Sequence, residues 1–342
     1  KMENICSEQQ LQKIQQMIVT ANNIVITCHL SPDGDALGSS LALYQVLRHI
    51  GKKVNVITPD QAPATLSFLP GYKAVTVYTR NKLTADNLVA DADLIFCLDY
   101  NDLKRLDQFG PVIGSARAPK VLIDHHINPT QFADIIVSLP QMSSTCELLF
   151  HLLEQIGLVG RMLGKAGATC LFTGMMTDTG NFTYNCAAPE IYEVVAKLCR
   201  LGIDKEYIYN TVMNTNTEDQ LRLNGYALSE KMRVWRDKGA ALITLDAEEL
   251  KRFNFRKGDT EGLVNKPLTI PGVRFVAFLR EDERYIKVSM RSRGDFAVNV
   301  VCEEFFNGGG HKNAAGGEFY GTMDECVAVF ERFVDALPAE KK

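Results

Sequence analysis

Short, wholly apolar runs separated by helix-like segments set the tightest limit on how this chain can fold. They fall at Ile24 to Cys28, Val54 to Ile57, Leu94 to Leu98 and Val121 to Ile123. A strand with no polar alternation is buried on both faces, and such strands joined through helices form a parallel sheet. The intervening segments supply the helices. Ser7 and Gln10 make a capping box for a helix through about Val19, and a second helix runs from Ala36 to Ile50, stopped by Gly51. Four more are expected at Ser144 to Ile156, Met162 to Met176, Pro189 to Leu201 and Lys205 to Met213. The expected class is α/β, with residues 1–215 forming an N-terminal domain whose mainly parallel sheet is covered by helices on both faces.

At 342 residues the chain exceeds what one core usually organises, so a second domain is expected. Residues 216–230 are polar and helix-prone and read as a linker. Strand patterns follow at Ala240 to Leu245, Arg274 to Leu279 and Tyr285 to Met290. Then come a glycine-rich turn, FNGGGHKNAAGG (Phe306 to Gly317), and an amphipathic helix from Met323 to Leu337. Residues 231–342 thus read as a smaller mixed-sheet α/β domain across a cleft.

Thirty-seven basic residues face 41 acidic ones, for a net charge of −4. The whole molecule therefore offers no field that gathers duplex nucleic acid, and any anion must be held by a local pocket. The nine cysteines lie mostly in apolar runs with no C-x-x-C pair, which suits buried thiols in a reducing compartment. No apolar run reaches the roughly 18 residues of a membrane span. A soluble cytoplasmic protein is expected, and Lys1, ahead of an initiator-like Met2, is given no structural weight.

In an open parallel sheet, ligands bind at the carboxyl ends of the strands. The first strand here leads into HLSPDGDALGS, which carries His29, Asp33 and Asp35. The third ends in Asp99, the fourth in Asp124-His125-His126, and the helix from Met162 leads to Asp178 in TDTG. Taken alone, D-G-D is a turn and His-His is nothing in particular. Jointly they bring carboxylates and imidazoles to one edge, where like charges oppose ionisation unless cations intervene. Two divalent ions suit that set, Mn²⁺ first, with Co²⁺, Fe²⁺ or Zn²⁺ as competitors. His49 and His151 read as packing or surface residues, Asp102 and Asp107 as solvated, and Met175 and Met176 as core. A dinucleotide fold is disfavoured, because the first turn carries acids in place of G-x-G-x-x-G.

HLSPDGDALGS, CLDYND, IDHHINP and TDTGNF, in that order, resemble the DHH phosphoesterase family. VSMRSRG and GGGHKNAAGG resemble its associated C-terminal domain. The resemblance implies that His29, Asp33 and Asp178 hold one metal, that Asp35 and His125 hold the other, and that Asp99 bridges both. It further implies that His126 faces the leaving group and that Asp124 orients a histidine. Arg291, Gly308, Gly309, Gly310 and His311 would bind substrate, with Asn307 standing where a further glycine is common. The implied reaction is two-metal hydrolysis of phosphate esters in short single-stranded oligonucleotides and mononucleotide phosphates such as adenosine 3′,5′-bisphosphate. Alternatives are cleavage of cyclic or linear dinucleotides, pyrophosphate or polyphosphate hydrolysis, and a catalytically silent nucleotide-binding protein. No duplex or membrane partner is expected, and a homodimer is compatible with this reading.

Overall fold

The structure, a computed structural model, describes residues 5–339, so Lys1 and Met2 lie outside it. The chain divides at Thr215 and Asn216 into two compact units. The first contains strands β1 (Asn23–Thr27), β2 (Lys53–Thr58), β3 (Thr76–Val77), β4 (Leu94–Leu98), β5 (Lys120–Asp124) and β6 (Ile135–Ser138). Its helices are α1 (Glu8–Thr20), α2 (Gly34–His49), α3 (Lys82–Ala90), α4 (Gly110–Ser115), α5 (Thr145–Gln155), α6 (Gly164–Asp178), α7 (Pro189–Arg200) and α8 (Lys205–Met213). Ser7 caps α1 with both halves of the expected capping box.

The six strands pair in the order β3-β2-β1-β4-β5-β6, all parallel. Alternate residues of each strand point to opposite faces. Ile24, Ile26, Leu94, Phe96, Leu98, Val121 and Ile123 pack with apolar residues of α1, α2, α5 and α6. Val25, Ile95, Cys97 and Leu122 pack on the other side with Ala85 and Val89 of α3 and Ile113 of α4. Burial on both sides explains why these strands are apolar throughout. The α/β class with a doubly covered parallel sheet is as expected.

The second unit contains β7 (Arg233–Trp235), β8 (Ala240–Leu245), β9 (Phe275–Glu281), β10 (Ile286–Ser292), β11 (Gly309–His311) and β12 (Ala314–Phe319), with α9 (Glu218–Tyr226), α10 (Ala247–Arg252), α11 (Val298–Phe305) and α12 (Met323–Ala336). Its sheet is mixed: β8 and β9 run parallel and the remaining pairs antiparallel, in the order β11-β12-β10-β9-β8-β7. Within the segment read as a linker, α9 buries Leu223, and Ala227 follows it into the same cluster with Ala241 and Ile243 of β8. The glycine-rich segment is not a bare turn. It is the hairpin β11–β12.

Among the described residues no helix is long and apolar enough to cross a membrane, and none of the cysteines is paired in a disulfide. Met175 and Met176 are core, His49 is exposed and His151 is buried.

Candidate metal centre

The strand order puts β1 beside β4, while the chain leaves β1 toward β2 and leaves β4 toward β5 on the opposite side. Loops after two such strands part and open a crevice at their carboxyl ends. His29 follows β1 by two residues and Asp99 follows β4 directly, so both line that crevice.

The loop after β1 is shaped by Asp33, the N-cap of α2, whose Oδ1 accepts from the amides of Asp35 and Ala36, both at 3.0 Å. Its Oδ2 lies 3.7 Å from His29 Nε2. Nδ1 of His29 donates to the carbonyl of Leu30 at 2.7 Å, which leaves Nε2 3.4 Å from Asp99 Oδ2. Asp99 is buried and has φ of 64°, a left-handed backbone for a non-glycine residue. Strain of that kind collects where a side chain must be re-aimed at the end of an element.

Helix α5 starts at the same place. The amides of Thr145 and Cys146 donate to the two oxygens of Asp35 at 2.7 and 2.9 Å, placing a buried carboxylate at a helix N-terminus. Thr145 Oγ1 also donates to Asp99 Oδ1 at 2.9 Å. The sequence does not single out Thr145. Its signal is Ser144, an N-cap whose hydroxyl accepts from the Glu147 amide.

His125 Nδ1 donates to the carbonyl of Met142 at 3.3 Å. Its Nε2 faces Asp35 at 3.8 Å, Asp99 at 3.7 Å and Asp178 at 3.4 Å. Asp178 ends α6, and α6 lies so close to α2 that a Cβ on Gly38 would stand 2.5 Å from the backbone oxygen of Cys170. This contact brings Asp178 toward Asp35. The resulting clusters of potential ligand atoms are His29 with Asp33 and Asp99, Asp35 with His125 and Asp178, and Asp99 with His125 and His126. Asp178 thus groups with Asp35 and His125, not with His29 and Asp33 as the resemblance implied.

His126 stands apart in its partners. Its backbone amide and Nδ1 both donate to the buried Asp124, at 3.0 and 2.7 Å. Arg105 Nη1, which can only donate, lies 2.9 Å from His126 Nε2, so this contact requires a neutral imidazole. Arg105 also went unmarked in the sequence, because its neighbour at the site lies 21 residues away.

Crowding shows in the protonation equilibria. Burial, with the charges of Asp99 and Asp33 beside it, pushes Asp178 up to about 6 against the opposing pull of His125. Burial and the charges of Asp99 and Asp178 push Asp35 well above the carboxylate range. Burial works against the charged form of His29, yet Asp33 and Asp99 outweigh it and raise the imidazole to about 10. His126 is raised by Asp124, against its burial and Arg105.

In the second unit, Arg291 on β10 and Gly308 and Gly309 of the hairpin line a groove of 590 Å³. Gly310 and His311 continue β11 and are exposed. Gly308 is held to glycine by contact, since a Cβ there would come within 2.0 Å of the Gly316 oxygen. Asn307, with φ of 45°, occupies the left-handed region that asparagine tolerates better than most residues.

Residues 23–175 match the DHH family, N-terminal domain, and residues 240–337 match the DHHA1 domain. The bifunctional oligoribonuclease and PAP phosphatase NrnA of Thermus thermophilus is 30% identical over 93% of this chain and 90% of its own length. A crystal structure of an exopolyphosphatase-related protein from Bacteroides fragilis superimposes with a TM-score of 0.89 at 47% identity, covering 98% of each chain. RecJ from Thermus thermophilus in complex with Mn²⁺ shares the fold at a TM-score of 0.52 and 14% identity, over 99% of this chain and 56% of RecJ. With both domains matched in order and a relative aligned along nearly its whole length, the chain belongs to the DHH family of phosphoesterases.

Proposed function

We propose that this phosphoesterase hydrolyses short oligonucleotides and nucleotide bisphosphates, adenosine 3′,5′-bisphosphate among them, with two divalent cations, Mn²⁺ foremost. The observation that carries this reading is Asp99, which belongs to a ligand cluster on either side of it. Both neighbouring histidines turn Nε2 toward carboxylates while Nδ1 is held by a carbonyl, the arrangement of imidazoles that serve metals. Carboxylates pushed up by burial and then by one another's charges are a donor set that cations would relieve. His29, Asp33 and Asp99 would hold one ion, and Asp35, His125 and Asp178 the other, with Asp99 reaching both. Such a pair supplies the Lewis acidity that activates water and steadies the entering and leaving oxygens at phosphorus.

The remaining residues prepare the site. The amides at the start of α5 fix Asp35, and the Thr145 hydroxyl fixes Asp99. Once a substrate phosphate draws Arg105 away, Asp124 keeps the proton on Nδ1 of His126 and favours a second one on Nε2, available to the leaving oxygen. Arg291 would grip a phosphate through its two-pronged guanidinium, with the hairpin glycines and His311 beside it. A cytoplasmic location fits such substrates.

The relative named bifunctional oligoribonuclease and PAP phosphatase favours nucleotides, whereas the more identical Bacteroides protein is named for polyphosphate. A hydrolysis panel in Mn²⁺ separates them: dinucleotides, adenosine bisphosphate, cyclic dinucleotides, pyrophosphate and polyphosphate. Turnover of dinucleotides and adenosine bisphosphate above the rest supports the proposal. Turnover confined to polyphosphate contradicts it. On the favoured substrates, Arg291→Ala and His311→Ala should each lower kcat/KM by roughly 10-fold to 100-fold, the worth of a hydrogen bond to a charged group. A generic chromogenic phosphodiester should lose much less.

A further inference from the structure

The second unit carries a cavity that the glycine-rich hairpin does not form. Its volume is 310 Å³, within the range of small-ligand sites. Lys257, Arg280, Lys287 and Arg291 line it against a single lining carboxylate, Glu261. The strand pattern explains how it arises. Along β10, Ile286, Val288 and Met290 enter the core with α11 and α12, while Lys287, Ser289 and Arg291 alternate onto the opposite face. A 3₁₀ segment at Leu263–Thr269 buries Leu263, Val264 and Leu268 with residues of β8 and β9. Val264 and Phe278 give the cavity its apolar wall.

The register puts Lys287 directly opposite Arg280 and Ser289 opposite Phe278. Like charges paired across neighbouring strands repel. Asp282 answers part of this, accepting from Arg280 Nη2 at 3.2 Å, and Glu318 on β12 faces Lys287 from the other neighbouring strand. Arg280 Nε is buried with no hydrogen-bond partner among the described residues, its guanidinium lying 4.9 Å from the Phe255 ring. A buried donor without a partner, among further cations and the hydroxyls of Thr260 and Ser289, calls for an anion with several acceptor oxygens.

We propose that this cavity is a phosphate-binding subsite, separate from the hairpin groove and sharing Lys287, Ser289 and Arg291 with it as a common wall. Resting on the function proposed above, its ligand is a backbone or terminal phosphate of an oligonucleotide, so affinity rises with the number of phosphates. Lys257 reports on this cavity alone, because the hairpin groove does not include it.

The test uses the full chain with Asp99→Asn to slow turnover, in Mn²⁺, titrated calorimetrically with a 5′-phosphorylated tetranucleotide, adenosine 3′,5′-bisphosphate and inorganic phosphate. Lys257 is exposed, so Lys257→Gln and Lys257→Glu should melt like the parent. Lys257→Glu should weaken tetranucleotide binding by about 10-fold or more and leave adenosine bisphosphate unchanged. Lys257→Gln should flatten the slope of log Kd against log salt by about 0.7, the share of one contact to a single strand. If only inorganic phosphate responds to Lys257, the subsite stands and serves free phosphate. Kd values for all three probes that ignore both substitutions overturn it. Should the unsubstituted chain hydrolyse no oligonucleotide while phosphate binding still depends on Lys257, the substrate reading fails and the subsite survives.

Discussion

His29 and His125 each commit Nδ1 to a nearby carbonyl, of Leu30 and Met142, and so present Nε2 to Asp33, Asp99 and Asp178. Without metal, His29 holds its proton to a pH of about 10, well above its ordinary value. A raised folded-state value means that this contribution to stability is complete below about 6.5 and is lost as pH climbs toward 10. The metal-free protein should therefore melt at falling temperatures from pH 6.5 to 8.5, whereas Mn²⁺, which competes with that proton, should stabilise more as pH rises. Melting curves of chelated and loaded protein check both slopes. A chelated protein that gains stability over the range would contradict the assigned partners of His29. Thr145 offers a second test, since Thr145→Val keeps shape and the amide bond to Asp35 but removes the hydroxyl from Asp99. Activity should fall by about 10-fold with the fold intact. The six ligand candidates stand out in the sequence because His29, Asp99, His125 and Asp178 lie at or just past the end of an apolar run and Asp33 and Asp35 fall in the turn that follows the first. Thr145 and Arg105 do not, because their roles come from packing between segments distant in the sequence.

Among the elements, α2 and α6 matter most, because their close approach joins two ends of the chain's chemistry. Gly38 faces the backbone oxygen of Cys170, which no rotamer change can move aside. Gly38→Val should cost about 1 to 3 kcal/mol by overpacking and weaken metal binding by separating Asp35 from Asp178. Denaturant titration and Mn²⁺ titration check the two effects. Long apolar strands and capped helices were legible: β4 and α8 have the expected bounds, and the capping box of α1 is present. β3 is too short, at two residues, to show a period. The hairpin β11–β12 has few side chains to alternate, so its glycines read as a turn. The helix α11 begins Val298-Asn299-Val300-Val301, a strand-like composition that packing against β10 overrides. The grouping of Asp178 was hidden for a similar reason, since it follows from helix–helix contact and not from order along the chain.

At the scale of the molecule, a net charge of −4 coexists with a carboxylate-lined candidate metal centre in one unit and a cation-lined cavity in the other. On the function proposed, the metals belong to the first unit and phosphate recognition to the second. It follows that losses from the second unit should depend on substrate, whereas losses from Asp99 should not. Asp99→Asn should lower turnover by more than about 100-fold on every substrate, beyond what is usual for partners outside the ligand shell. The most direct measurement is a Mn²⁺ titration of the chelated protein and of Asp99→Asn, following bound metal and dinucleotide hydrolysis in the same samples. The expected result is two ions bound per chain, with activity rising as the second binds, and weakened binding with almost no activity in Asp99→Asn. Full hydrolysis in the chelated protein, or an Asp99→Asn variant that binds and works like its parent, would contradict a two-metal centre shared through Asp99.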